Sequence, residues 1–182
     1  KTLNNALSKY VKKVAFQEPP YTTSIDLLNH IKEVTPDSLS YLLNDMFETI
    51  TLYQNRVVET KSEKLDNGKY KVDIEFKVSK YRNNEKGRAF YGEREKDSIT
   101  YQTDDMKKPE YSVFLEDYID IGIFGEDDDE NETELYLKKH KISSIYNKIS
   151  IIVDKEPKEV GIDPYNKLID TNSEDNRKKI EN

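Results

Sequence analysis

An alternation of apolar and polar residues in the segment 111–124 constrains the fold of this chain more than any other feature. Isoleucines occupy every second position in its later half, at Ile119, Ile121 and Ile123. The residues between them are polar or glycine, so an extended chain presents one apolar face and one polar face. This pattern predicts a half-buried β-strand, and the apolar face of such a strand needs a second layer of structure to cover it.

Two further strands are predicted directly after this one. An acidic stretch at 126–132 is too charged to enter a core and indicates a loop. The segments 135–142 and 148–153 follow it, separated from each other by a link that contains Ser143 and Ser144. Because polar connections join all three segments, we expect them to form one antiparallel unit.

The middle of the chain has the same period of two. Segment 53–64 is followed by Asn67 and Gly68, a pair that favours a type I′ hairpin turn, in which both central residues need a positive φ. The returning segment, 70–78, alternates between apolar and charged side chains. Its inward positions are predicted to be Tyr70, Val72, Ile74, Phe76 and Val78.

Two shorter strands are predicted at 88–91 and 98–102. The total is then about seven strands at sandwich-like spacing, without alternation of strands and helices in this half. We therefore predict an α+β fold, in which a short N-terminal helical segment precedes a mostly antiparallel, Ig-like β-sandwich. The expected divisions are a helical segment at 1–52, the sandwich at 53–157, and a C-terminal turn segment with a polar tail at 158–182.

Three helices are predicted in the helical segment. Apolar residues at helical spacing indicate a first helix that is stopped at Pro19. Thr23 or Ser24 is suited to cap the second helix, because a hydroxyl can accept a hydrogen bond from a free backbone N–H. The third helix has the clearest apolar spacing in the chain, and Thr35 is its predicted N-cap.

The C-terminal part divides into two predicted segments. Residues 161–170 contain a turn at Asp163 and Pro164, and four large side chains of which at least two are predicted to be buried. These four are Ile162, Tyr165, Leu168 and Ile169. Residues 171–182 are almost entirely polar, and we expect a loosely held tail there.

The composition argues against several classes of function. The net charge is −7 over 182 residues, whereas a protein that binds nucleic acid through its phosphates needs a basic surface. The sequence has no cysteine, which excludes disulfides and thiolate chemistry. No apolar run approaches the roughly 20 residues that span a bilayer. The chain begins at Lys1 and opens directly into a helical pattern, so we expect it to be part of a longer protein.

No catalytic, cofactor-binding or metal-ligating residue is predicted in this chain. A zinc peptidase helix needs two histidines one turn apart and a glutamate, but the sequence holds only His30 and His140. It also lacks a glycine-rich phosphate loop and a serine in a nucleophile elbow. We interpret His30 as an exposed or hydrogen-bonded side chain, because a metal site needs several convergent donors. The chain is therefore predicted to be no enzyme and to hold no cofactor.

Two acidic stretches raise the question of calcium. The loop 126–134 offers many carboxylates without ordered ligand spacing. In the tail, positions 1, 3, 5 and 12 of an EF-hand loop are matched by Asp170, Asn172, Glu174 and Glu181. However, Asp175 stands where the turn glycine belongs, and no amphipathic helix precedes it. A solvated loop and a solvated tail fit this composition better, and the sequence alone leaves calcium binding undecided.

Three stretches of the chain together resemble one known protein family. They are TPDSLSYLLNDMFETITLY at 35–53, DYIDIGIF at 117–124 and GIDPYNKLID at 161–170. The combination resembles the C-terminal region of bacterial M1-family (gluzincin) aminopeptidases, in particular the Bacteroidetes-type proteins in which the peptidase is fused to an ABC-transporter permease. The resemblance extends over most of the chain, from Tyr21 to Asn176.

This resemblance implies a helical piece that follows a catalytic domain, and then a β-sandwich, in a membrane-associated parent protein. The zinc ion and the catalytic residues of that family belong to the upstream catalytic domain. Their motifs do not occur in this sequence, so no catalytic residue is carried over. The implied partner is that upstream domain of the same chain.

Three functions are compatible with these observations. The first is a non-catalytic C-terminal accessory region of a membrane-associated M1-type zinc aminopeptidase, supporting the catalytic domain or access to its cleft. The second is an independent β-sandwich module that binds a protein or a ligand, and the third is a calcium-stabilised extracellular domain. An accessory region should expose apolar surface on the third predicted helix for its neighbour to cover, whereas an independent module should not.

Overall fold

A computed structural model describes residues 2–83, 86, 89–90, 113 and 115–180 of the chain. The chain divides into two compact units, Lys1–Ile50 and Thr51–Asn182. The first unit is helical and the second is built from two mostly antiparallel sheets. The predicted α+β fold, a helical segment followed by a β-sandwich, is confirmed. The strand predicted at 98–102 lies outside the described residues.

The helical unit begins with α1, Thr2–Val14, and α2, Ser24–Lys32. Thr23 caps α2, as predicted, and forms a capping box with Asp26. The carboxylate of Asp26 accepts the backbone N–H of Thr23 at 2.8 Å, while the Thr23 hydroxyl accepts the N–H of Asp26 at 3.4 Å. Two backbone donors that an uncapped helix would leave free are satisfied in this way.

The third helical segment is less regular than predicted. It consists of a 3₁₀ turn at Asp37–Leu39, a short helix α3 at Ser40–Leu43 and a π-helical turn at Asn44–Glu48. The prediction of Thr35 as its N-cap is wrong, because the Thr35 hydroxyl instead donates to the carbonyl of Ile31 at 2.8 Å. That bond satisfies the end of α2, so the third segment starts without a side-chain cap.

Eight β-strands are present in the described residues. They are β1 Ile50–Lys64, β2 Tyr70–Asn83, β3 Ala89–Phe90, β4 Asp117–Glu126, β5 Glu132–Ile142, β6 Tyr146–Val153, β7 Glu159–Ile162 and β8 Arg177–Lys179. One sheet has the order β1-β2-β3, with β6 also paired to β2. The other sheet has the order β5-β4-β7-β8, and its three pairings are antiparallel.

The turn between β1 and β2 differs from the predicted type I′ turn. The Gly68 N–H donates to the Leu65 carbonyl at 2.9 Å, and the Leu65 N–H donates to the Lys69 carbonyl at 2.8 Å. These bonds enclose a three-residue loop, and within it only Gly68 has a positive φ, at 81°. A three-residue hairpin needs just one residue in the left-handed region, so Asn67 keeps an ordinary conformation.

Replacement of Gly68 by valine is therefore expected to destabilise the fold by about 1–3 kcal/mol. A β carbon at Gly68 would meet nothing within 4 Å, so the effect isolates backbone strain from steric collision. Denaturant unfolding of Gly68→Val measures this loss, and Gly68→Asn is the matched control because asparagine tolerates a positive φ. If the valine variant were as stable as the natural chain, the proposed backbone strain at position 68 would be contradicted.

The predicted antiparallel unit of three consecutive strands is wrong in one respect. The strand β5 pairs with β4, but β6 crosses to the other sheet and pairs with β2, from Tyr70↔Val153 to Lys77↔Tyr146. Ile151 and Val153 thereby join the apolar face of β2. The link of residues 143–145 changes sheets, because pairing with β2 buries the apolar side chains of β6 between the two sheets.

The two sheets share one apolar core. Its fully buried members from both sheets include Val72, Ile74, Phe76, Val78, Ile119, Ile121, Ile123, Val160 and Ile162. The inward positions predicted in β2 are confirmed, although Tyr70 is only partly buried. The period-2 pattern of β4 is confirmed as well, since its three isoleucines all enter this core.

The strand β4 is buried on both faces, which corrects the prediction of a half-buried strand. On the face away from the core, Asp120 is 5% exposed and Phe124 is 1% exposed. Residues 163–168 lie over this face and exclude water from it. The polar residues that alternate with the isoleucines of β4 were expected to face solvent, but they contact this covering segment instead.

The C-terminal part belongs to the sandwich, so the prediction of a polar tail is wrong. The strand β8 adds to the edge of β7, and Asn176 just before it is fully buried. The Asn176 carbonyl accepts the N–H of Ile162 at 2.8 Å. Segment 161–170 is packed, as predicted, with Ile162 buried and Leu168 against the core, while Tyr165 and Ile169 remain largely exposed.

Candidate functional site

A buried ion pair joins the two sheets of the sandwich. Lys80 extends the inward positions of β2, and Asp117 is the first residue of β4. The Lys80 ammonium lies 3.2 and 3.1 Å from the two carboxylate oxygens of Asp117. The two side chains are only 2% and 4% exposed, and the ammonium also lies 5.7 Å from the ring centre of Tyr53.

This pair was not found from the sequence. The only available signal was that Lys80 continues the inward alternation of Val72 to Val78, where a charged residue is unexpected. A buried lysine amine can act as a nucleophile only if a substrate reaches it. Because both Lys80 and Asp117 are enclosed, their arrangement suits the linkage of β2 to β4 rather than a reaction.

A second charged cluster lies on the outer face of β4. The carboxylate of Asp120 accepts hydrogen bonds from the ammonium groups of Lys167, at 2.8 Å, and Lys139, at 3.4 Å. Burial alone would raise the pKa of Asp120, but the hydrogen bond from Lys167 and the charge of Lys139 outweigh it and leave the pKa below its ordinary value. Asp120 is therefore held as a carboxylate.

The side chain of Asp163 stabilises the turn of residues 163–168, the segment that covers the outer face of β4. Its carboxylate accepts the backbone N–H groups of Lys167 and Leu168 at 3.0 and 2.9 Å. Burial raises the pKa of Asp163, and these two backbone hydrogen bonds oppose the rise only in part. The role of both aspartates is structural, since their oxygens are used to hold residues 163–168 on β4.

Two glycines allow this segment to approach so closely. Gly122 of β4 lies directly opposite Gly161 of β7. A β carbon at Gly122 would lie 3.1 Å from the Pro164 side chain, and one at Gly161 would lie 2.9 Å from it. Both distances are shorter than ordinary contacts, so larger residues would push Pro164 and the covering segment away from the sheet.

A groove of about 380 Å³ opens beside the acidic loop. It is lined by Phe124, Gly125, Glu126, Glu130, Glu132, Lys158, Glu159, Lys179 and Ile180. Next to it, the guanidinium of Arg177 lies 4.2 Å from the ring centre of Phe124 and donates to Glu159 at 2.6 Å and to Glu132. The groove is of mixed charge, and two of its carboxylates already have this cation as partner.

The two histidines make local contacts. The ring of His30 lies edge-on to Tyr10, and its Nδ1 is 3.1 Å from the carbonyl of Asp26. The Nε2 of His140 lies 2.7 Å from the Tyr136 hydroxyl. Burial lowers the pKa of His140, and the nearby charge of Lys138 lowers it further. His140 thus favours the neutral ring, which can accept the tyrosine hydrogen bond.

In the two stretches considered for calcium, carboxylates accept hydrogen bonds from backbone N–H groups. In the acidic loop, Asp127 accepts the N–H groups of Asp129 and Asn131 at 3.0 and 2.8 Å. Asp170 accepts the N–H groups of Asn55 and Asn172 at 2.8 and 2.9 Å. Across the described part of the chain, no three histidine, aspartate or glutamate side chains converge as metal ligands. Glu181 lies outside the described residues.

The helical unit exposes much of its apolar surface. Among its described residues, only Ala6, Tyr10 and Leu43 are buried apolar side chains. Ile25 of α2 is 66% exposed, and Met46 in the third helical segment is 70% exposed. Phe47 and Ile50 are also about half exposed. A core of three side chains is small for fifty residues, so this unit presents more apolar surface than it covers.

Comparison of the chain with protein-family models, with curated proteins and with solved structures found no match. The similarity to the C-terminal region of M1-family aminopeptidases therefore stays a prediction. None of the helices in the described residues has the length and apolarity of a membrane-spanning helix.

Proposed function

We propose that this chain is a non-catalytic accessory region, which packs the apolar surface of its helical unit against a separate catalytic domain. The resemblance of segments 35–53, 117–124 and 161–170 to M1-family proteins suggests the zinc aminopeptidase domain of a membrane-associated parent as that partner. The observation that carries the proposal is the exposure of Ile25, Met46 and Phe47 in the helical unit.

The argument rests on the energy of apolar burial. Full burial of a side chain such as isoleucine, methionine or phenylalanine contributes about 1.5–3 kcal/mol. An independent module would gain from covering such residues with its own chain, or from replacing them by polar residues. Their exposure is explained if Met46 and Phe47 are covered by another domain, as expected for an accessory region.

The sandwich offers a contrast within the same chain. Ion pairs lie on the outer face of its first sheet, where Lys148 is 2.5 Å from Glu75 and Lys71 is 3.0 Å from Asp73, although Ile152 on this face is also exposed. Of the fourteen large apolar side chains that are exposed in the described residues, eight lie within the first fifty residues. We therefore assign the docking role to the helical unit.

Docking can be tested with a purified catalytic domain of an M1-type zinc aminopeptidase. We expect the whole chain to bind this domain in isothermal titration calorimetry, and the double variant Met46→Ser, Phe47→Ser to lose the binding. Ile152→Ser is the matched control, because the exposure of Ile152 in β6, 59%, lies between those of Phe47 and Met46, but Ile152 lies on the sandwich.

Two results would contradict the proposal. One is the absence of binding by the natural chain, or equal binding by the double variant. The other is a zinc site or an activity in the chain alone, shown respectively by equimolar zinc in metal analysis and by aminoacyl hydrolysis that chelation abolishes. If instead the chain binds a small ligand at the groove beside Glu126 and Glu159, the alternative of an independent sandwich binding module is supported.

A further inference from the structure

The start of this acidic chain carries basic residues without acidic ones. Residues 1–17 contain four lysines and neither aspartate nor glutamate, which gives this stretch a charge of +4. The whole chain has a net charge of −7, so the remaining residues together carry −11. The lysines described in α1 are Lys9, Lys12 and Lys13. A helix with this charge is suited to an anionic partner.

The apolar side chains of α1 are divided between two environments. Ala6 and Tyr10 are buried in the helical unit, where the Tyr10 hydroxyl is 2.7 Å from that of Thr22. Leu3 and Val11 are exposed, at 49% and 59%. One flank of the apolar stripe is thus covered by the protein, and the other flank is open.

The exposed residues share one side of the helix with two partly buried ones. At about 100° per residue, Leu3, Leu7, Val11 and Val14 fall within an arc of about 80° on one side of α1, and of these Leu7 and Val14 are partly buried. Phe16, two residues after the end of the helix, is fully exposed. Lys9 and Lys12 lie on the opposite side of the helix, where their long side chains stay in water.

We propose that α1 lies on the surface of an anionic lipid bilayer, with the side chains of Leu3, Val11 and Phe16 inserted between the headgroups. A lysine-rich helix with an apolar stripe and low overall hydrophobicity is the pattern of helices that lie in the membrane interface. The lysines remain within about one Debye length of the surface, because a helix is only about 10–12 Å wide.

The dimensions favour a surface position over a spanning one. Thirteen residues give α1 a length of about 20 Å, which is less than the roughly 30 Å of a hydrocarbon core. The open strip from Leu3 to Phe16 is long and narrow, with covered residues along one side. A fluid bilayer can accept such a strip without a matching shape, whereas a protein groove would have to be complementary to it.

This inference does not depend on the proposed function. Docking to a catalytic domain was argued from Ile25, Met46 and Phe47, which lie outside α1. The surface of α1 can therefore be changed while those three residues remain as they are.

Vesicle flotation of the whole chain tests the inference. We expect the protein to float with vesicles of 70% phosphatidylcholine and 30% phosphatidylserine, and to remain unbound with pure phosphatidylcholine. The double variant Lys9→Gln, Lys12→Gln should weaken binding about fivefold for each lysine. Val11→Ser should weaken it about tenfold. Lys155→Gln and Ile152→Ser are the controls, because both residues are exposed on the sandwich, and they should bind as the natural chain does.

Circular dichroism establishes that each variant keeps its helix content, so that lost binding reports the surface of α1. The inference is overturned if the natural chain does not float with anionic vesicles, or if it floats equally with neutral ones. It is also overturned if the α1 variants float as well as the controls. Weakened binding of Val11→Ser to the catalytic domain, without any vesicle binding, would assign this surface to a protein partner instead.

Discussion

Replacement of Lys80 by alanine is expected to destabilise the sandwich by about 3–5 kcal/mol. The reason is the charge that the substitution leaves behind. Asp117 is 4% exposed in its side chain, and the substitution takes away the Lys80 ammonium that lies against this buried carboxylate. Urea unfolding followed by circular dichroism at neutral pH measures the loss.

Two controls separate buried charge from lost contacts. The double variant Lys80→Met, Asp117→Leu removes both charges and keeps most of the volume, so its stability should return close to that of the natural chain. Lys148→Ala breaks the exposed pair with Glu75 and should change stability by less than about 1 kcal/mol. A loss below about 1 kcal/mol for Lys80→Ala would mean that this pair is not enclosed as described.

Truncation of the chain after Asn172 is expected to destabilise the sandwich by about 3–5 kcal/mol. The truncation removes β8, together with the backbone hydrogen bonds from Ile162 to Asn176 and from Ile180 to Lys158, both 2.8–2.9 Å long. Net contributions of about 0.5–1.5 kcal/mol for each ladder bond account for much of this loss. The rest comes from Ile180, which packs on the core, and from Arg177, whose removal uncovers the ring of Phe124.

Truncation after Ile180 is the matched control, since it removes only the last two residues and keeps β8 whole. Its midpoint of denaturant unfolding should equal that of the natural chain. If both truncated chains were as stable as the whole one, β8 would contribute nothing to the fold and the segment after 172 would indeed behave as a polar tail.

Much of the fold could be predicted from local patterns. The alternation in β2 and β4 gave their inward faces, and Thr23 was found as a cap because a capping box depends only on residues three apart. The hairpin at Gly68 was located for the same reason, although the turn type was not, since loop length depends on where Leu65 and Lys69 pair.

The candidate sites were less accessible to this reasoning. Lys80 and Asp117 are 37 residues apart, and each one alone looks like a surface residue. Asp120 resembled a solvent-facing position of β4 until Lys167, 47 residues later, was seen to lie over it. The sequence identified the third helix as the place where exposure would distinguish the two functions, but only the packing of the helical unit gave the exposure of Met46.

The sequence by itself determined where the helical segments and most strands before residue 158 lie, and which side of β2 and β4 is apolar, because these properties depend on neighbours within one turn or one pleat. Only the tertiary structure decided that β6 pairs with β2, that β8 is the edge strand of the second sheet, and that the buried charges of Lys80 and Asp117 form an ion pair. The physical reason is that strand pairing and charge pairing are set by residues distant along the chain. The identity of a polar residue does not reveal which distant residue it contacts. The same residue type therefore occurs in a solvated tail and in a buried hydrogen-bond network.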